Sequence, residues 1–100
     1  MRTFIEYSNI YGTINVKGKN NVKCKTFAFM HPPHFAPAPY GDEKYYCKVV
    51  DSKHVVYDVK WEPREEYDPY CDNEGSIACD WDNPSLIKKA KDQPYKRSYY

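Results

Sequence analysis

The sequence predicts an α+β domain: a mainly antiparallel sheet of about four to five strands, long loops and one short C-terminal helix. Three observations predict it. Residues 44–61, KYYCKVVDSKHVVYDVKW, form two runs rich in Val, Tyr, Trp and Cys around a polar Asp51-Ser52-Lys53, the composition of a β-hairpin. A second pair of apolar runs, 10–17 and 22–30, flanks Gly18-Lys19-Asn20-Asn21, where glycine and asparagine are the residues that accept a positive φ at least cost. Finally, Asp82-Asn83-Pro84-Ser85 sets a capping side chain and a first-turn proline ahead of LIKKAKDQ, a helix start, and Pro94 ends that helix.

In chain order, 3–7 alternates weakly and reads as a short strand. In 10–17, Ile10, Ile14 and Val16 share one strand face; in 22–30, Phe27 and Phe29 oppose Val22, Cys24, Thr26 and Ala28. The segment HPPHFAPAPYGD, 31–42, carries four prolines that remove backbone donors and fix φ, so it reads as a stiff extended loop without regular structure. In the central hairpin a three-residue turn pairs Val49 with Val55, Cys47 with Tyr57 and Tyr45 with Val59. That puts an apolar set on one face and Tyr46, Lys48, Val56 and Asp58 on a more polar one. Residues 62–82 form a second long irregular stretch, rich in acid and tyrosine, and the tail 95–100 is read as mobile.

One hundred residues suffice for one domain, 1–100, with a single core. A net charge of +1 argues against a generic polyanion binder. The charges segregate, however: basic to Lys53, acidic from His54 to Asp82, then basic again through Lys88, Lys89, Lys91, Lys96 and Arg97, which gives faces of opposite potential. The start MRTFIEYSNI has neither the apolar run nor the cleavage site of a signal peptide, and no segment is long and apolar enough to span a bilayer. The expected location is the cytoplasm, where thiols stay reduced and a disulfide framework from four cysteines is disfavoured.

Both long loops leave from one end of the sheet, because 31–42 ends where one hairpin strand begins and 62–82 begins where its antiparallel partner ends. One carries His31 and His34, the other Cys71 and Cys79, donors that suit a closed, structural, tetrahedral Zn²⁺ site. Free thiols and a disulfide stay open as alternatives, since no Cys-x-x-Cys pair sharpens the spacing. Cys24 and Cys47 lie on the apolar parity of their strands and read as core residues, with a reserve role as ligands in place of a histidine. His54, beside a turn, reads as a solvated residue.

No catalytic signature stands out, and the chain is read as a binding protein and not an enzyme. Asp58-x-Lys60 with Asp42 and Asp51 matches the acid, acid-x-lysine arrangement of metal nucleases, yet Asp51-x-Lys53 matches it equally well in a turn. Residues 68–80 lack the alternating oxygens and glycine of a calcium loop. The 11 tyrosines exceed what a small core needs, and tyrosine is a residue of protein interfaces. Within EPREEYDPYCDNEG, the residues Glu65, Glu66, Tyr67, Tyr70 and Asp72 are the candidate partner contacts, suited to a basic, phosphate-binding groove. The alternative is a zinc-stabilised nucleic-acid-binding module that uses hairpin 17–25, with Lys17, Lys19, Lys23 and Lys25 on phosphates and Phe27 and Phe29 stacking on bases. The same lysines equally well keep the hairpin from pairing at its edge.

A short domain starting at Met1, the acidic tyrosine-rich stretch and the set His31, His34, Cys71 and Cys79 together resemble the phage-encoded anti-CRISPR inhibitors of the zinc-containing kind. The resemblance implies a stoichiometric protein-binding inhibitor in the host cytoplasm that docks on a CRISPR effector nuclease and blocks its DNA loading or cleavage. It implies structural Zn²⁺, no membrane and no DNA binding by the isolated chain. A net charge near zero departs from the strongly acidic DNA mimics among such inhibitors and favours docking on a particular protein surface.

Overall fold

A computed structural model describes residues 2–17 and 25–93. The elements are helix α1 (Phe4–Tyr11), strands β1 (Thr13–Val16), β2 (Lys25–Phe29), β3 (His34–Phe35), β4 (Tyr45–Val50) and β5 (Val56–Trp61), a 3-10 turn at Gly75–Ile77, and β6 (Leu86–Lys89). All strand pairs are antiparallel, in the order β1-β2-β4-β5-β6, with β3 beside β4. The α+β class and the antiparallel sheet are as expected; among the described residues the sheet has six strands, and the one α-helix is N-terminal.

Helix α1 replaces the strand expected over 3–7 and takes Ile10 out of the strand expected over 10–17. Its start is a capping box: the Glu6 amide donates to Thr3 Oγ1 and the Thr3 amide to Glu6 Oε1, both at 3.2 Å. A further first-turn amide, that of Phe4, donates to His54 Nε2 at 3.3 Å, so His54 serves the helix end instead of standing in solvent. The helix stops at Gly12, whose φ of +89° suits glycine, and whose N–H donates to Ser8 O. Phe4, Tyr7 and Tyr11, at helical spacing, pack on Ala28, Val50, Val56 and Ala90. Val50 and Val56 are thereby buried on the face expected to be polar.

The central hairpin pairs Val50 with Val56, Cys47 with Val59 and Tyr45 with Trp61. This is two residues out of the expected register, and a two-residue slip preserves which side chains share a face. The turn is longer because Asp51 organises it: Oδ1 accepts the Lys53 and Val55 amides at 2.9 and 3.0 Å, while Oδ2 lies 2.9 Å from Lys25 Nζ. Burial pushes the Asp51 carboxyl up, but Val55, Lys25 and Lys53 more than offset it and hold it below the ordinary carboxylate value.

The C-terminal helix expected after Asp82 is instead β6, which covers the open edge of β5. Its would-be caps have other partners. Asp82 Oδ1 accepts the Asn15 amide of β1 at 3.0 Å, and Ser85 donates its amide to Lys60 O at 2.8 Å. Three residues span at most about 10 Å, so the sheet curls until its β1 edge approaches β5 and β6. At the far end, Gln93 takes the Val56 N–H at 2.8 Å and donates to Val56 O at 2.9 Å. The predicted tail 95–100 lies outside the described residues.

The inner face of the curled sheet holds the main core, with Phe27, Phe29, Tyr45, Cys47, Val49 and Trp61 among its members. Residues 62–81 close over it through Tyr67, Ala78, Cys79 and Trp81. Trp61 donates its indole N–H to Trp81 O, and Trp81 donates to Ser76 O, both at 2.9 Å. The acidic stretch is therefore the cover of the core, with its polar side outward. No helix among the described residues is long and apolar enough to cross a membrane.

Candidate functional site

The two long loops meet, and a tyrosine joins them. Tyr70, 57% exposed, accepts the Ala38 amide on its hydroxyl at 3.0 Å, lies 3.1 Å from Glu43 Oε2 and sets its ring edge-on to Phe35 at 5.2 Å. Its backbone is fixed in turn: the Tyr70 amide donates to Asp68 Oδ1, the Asp68 amide to Asp72 Oδ2, and the Tyr67 hydroxyl to Asp72 O. The five residues expected to contact a partner thus divide by role. Tyr67 is buried and, with Asp72, shapes the loop. Tyr70 is the clasp. Glu65 and Glu66 stand exposed, and neither has an ion-pair partner among the described residues. At the loop base Lys44 holds Glu62 at 3.0 Å.

The set His31, His34, Cys71 and Cys79 is not gathered. Among the described residues no group of three or more His, Cys, Asp and Glu side chains is arranged to hold a metal ion. The reserve Cys24 lies outside them. Each of the others has a different situation. His31 mends the sheet where Pro32 and Pro33 separate β2 from β3: its Nδ1 is 2.9 Å from Pro32 O and its Nε2 takes the Lys48 amide at 3.2 Å. That geometry assigns the proton to Nδ1 and the lone pair to Nε2. The proline loop consequently contains a short strand, β3, where none was expected, since Ala36 can resume the ladder with Lys44 O.

Cys47 is buried 3.7 Å from that ring and donates to the carbonyls of His31 and Lys48. Burial pushes its thiol up to about 12. Cys79, under the cover, is pushed up to about 11 by burial, and Cys71, exposed, is raised by its contact with Asp68. His34 is exposed on the outer face, its ring between those of His31 and Tyr46.

The hairpin reading for nucleic acid meets a different arrangement. Phe27 and Phe29, the expected base-stacking rings, are buried in the core. Lys25 is held by Asp51 and sits over the Phe27 and Tyr57 rings. Lys17 is exposed, while Lys19 and Lys23 lie outside the described residues. In the Asp58-x-Lys60 pair, Asp58 is bound to Lys48 at 2.6 Å, and Asp51 is taken up by the turn that joins β4 to β5.

Sequence reasoning missed the roles of three residues: Tyr70 as clasp and Trp81 as the keystone of the cover at this end of the molecule, and Asp51 as turn organiser at the other end of the hairpin. Of these only Asp51, an acid directly ahead of a polar turn, left a local signal. The chain matches no family model, and neither a curated protein nor a solved structure is similar to it.

Proposed function

We propose that this chain is a stoichiometric binding protein that docks, through the rigid end made by its two clasped loops, on a basic nucleic-acid-binding groove of an RNA-guided DNA nuclease and inhibits it. The observation that supports this reading is the Tyr70 clasp, which fixes the loop carrying Glu65 and Glu66, both exposed and without an ion-pair partner among the described residues, before binding. Carboxylates on a preorganised loop can take the places of phosphates in such a groove. Hydrogen bonds and aromatic packing between the two loops support this docking surface.

The test is a cleavage assay with a panel of guide-loaded nucleases and equimolar purified chain. Inhibition is expected at low salt, and the double substitution Glu65→Ala, Glu66→Ala weakens it by about tenfold or more while the circular dichroism spectrum stays unchanged. Affinity unaffected by that substitution at low salt removes the acidic loop from the interface. A gel shift of single-stranded or duplex DNA by the isolated chain favours the nucleic-acid-binding alternative instead.

A further inference from the structure

Beside the clasped end lies an open cleft of about 500 Å³. Ile10 and Tyr11 of α1, Phe29, Pro33, Tyr45 and Trp81 give it apolar walls, and Gly75 and Ser76 form part of its lining. The size is that of a pocket for a bulky side chain or a small ligand. Ile10 is 50% exposed here, an apolar side chain left to water. The site is built in advance: Trp81 is held by its bond to Ser76 O and by edge contacts with Phe29 and Tyr45. Ser76 also lines an adjoining hollow, where Glu66, Asp72 and Glu74 outnumber Arg64. An apolar recess thus passes, across one residue, into a surface with an excess of negative charge.

We infer that this cleft receives one bulky apolar side chain of a partner protein segment in which Lys or Arg follows that side chain. The inference rests on the docking reading above and names the part of the partner that would be recognised. The apolar side chain is desolvated between Ile10 and Trp81, while the cation reaches Glu66 and Glu74 across Ser76. Burial supplies the affinity and the carboxylates set the direction of the segment.

The probe is the peptide acetyl-Gly-Leu-Lys-Arg-Gly-amide, titrated into the full chain and followed by proton-nitrogen NMR. One control replaces its Leu by Ser and another its Lys-Arg by Glu-Glu. Saturable shifts are expected at the Gly75 and Ser76 amides and the Trp81 indole, and both controls bind about tenfold or more weaker. A side chain at Gly75 has room, since an added Cβ meets nothing within 4 Å. Gly75→Phe is therefore expected to fold, to occlude the cleft and to weaken the peptide about tenfold. No saturable shift up to about 10 mM, equal binding of the three peptides, or full binding by Gly75→Phe overturns the inference. Nuclease inhibition at full strength by Gly75→Phe removes the cleft and leaves the docking reading standing. Peptide binding by a chain that inhibits no nuclease does the reverse.

Discussion

The Tyr70 hydroxyl accepts the backbone N–H of Ala38 across 3.0 Å, thirty-two residues away in sequence, and this bond ties the acidic loop to the proline loop. Tyr70→Phe keeps the ring against Phe35 and removes the hydroxyl. The expected loss is about 0.5–1.5 kcal/mol in urea unfolding, with faster hydrogen exchange at the Ala38 amide. An Ala38 exchange rate that does not change would show that the loops are joined by other means.

The Asp51 turn gives a pH dependence of known sign. Its carboxyl has a folded value below the ordinary 3.8, so its contribution is complete above that pH and is lost as the pH falls through the lowered value. Lys25, raised above 10.5 chiefly by its hydrogen bond to Asp51, sets the opposite limb, with stability lost as the pH rises through the raised value. At neutral pH, Asp51→Asn is expected to destabilise by about 1.5–3 kcal/mol, and its difference from the wild type narrows as the pH drops below the ordinary value. A difference that stays constant down to about pH 2 contradicts the assignment.

Gly12 ends α1 at a φ of +89° and ψ of 179°, a region that side chains avoid, though an added Cβ meets nothing within 4 Å. Gly12→Ala should therefore act through the backbone alone, at a cost of about 1–3 kcal/mol, with no change in the core signals of the NMR spectrum. Stability equal to wild type would mean that the chain leaves the helix by another route.

Thiol chemistry reports the burial pattern. In a Cys24→Ser background, one thiol, Cys71, should react promptly with a disulfide reagent near neutral pH, whereas Cys47 and Cys79 wait for unfolding. Denaturant should release both. Three thiols reacting together in the native protein would contradict the closed cover over Cys79.

The parts of this fold that follow a local rule were legible. The β4 and β5 runs announce themselves by composition, and their shared face survived a register error because the slip was even. The N-terminal helix was also written locally, in Thr3-x-x-Glu6 and in the spacing of Phe4, Tyr7 and Tyr11, but weak alternation over five residues masked it. The fate of LIKK was not written locally. Its flanks have helix-start chemistry, and only the unpaired edge of β5 makes a strand the better state for Leu86–Lys89. The candidate site shows the same division. That both loops rise from one end followed from hairpin topology, whereas the contacts that hold them, the Tyr70 hydroxyl on the Ala38 amide and the edge-on indoles of Trp61 and Trp81, join segments distant in sequence.

Gln93 fills the corner of the sheet beyond β6. Its carboxamide is a peptide group in miniature, and by facing Val56 with both its donor and its acceptor it occupies the place where another chain would begin to zip. Val56 is thereby closed to an incoming strand, and any added pairing has to start on the outer side of β6 instead.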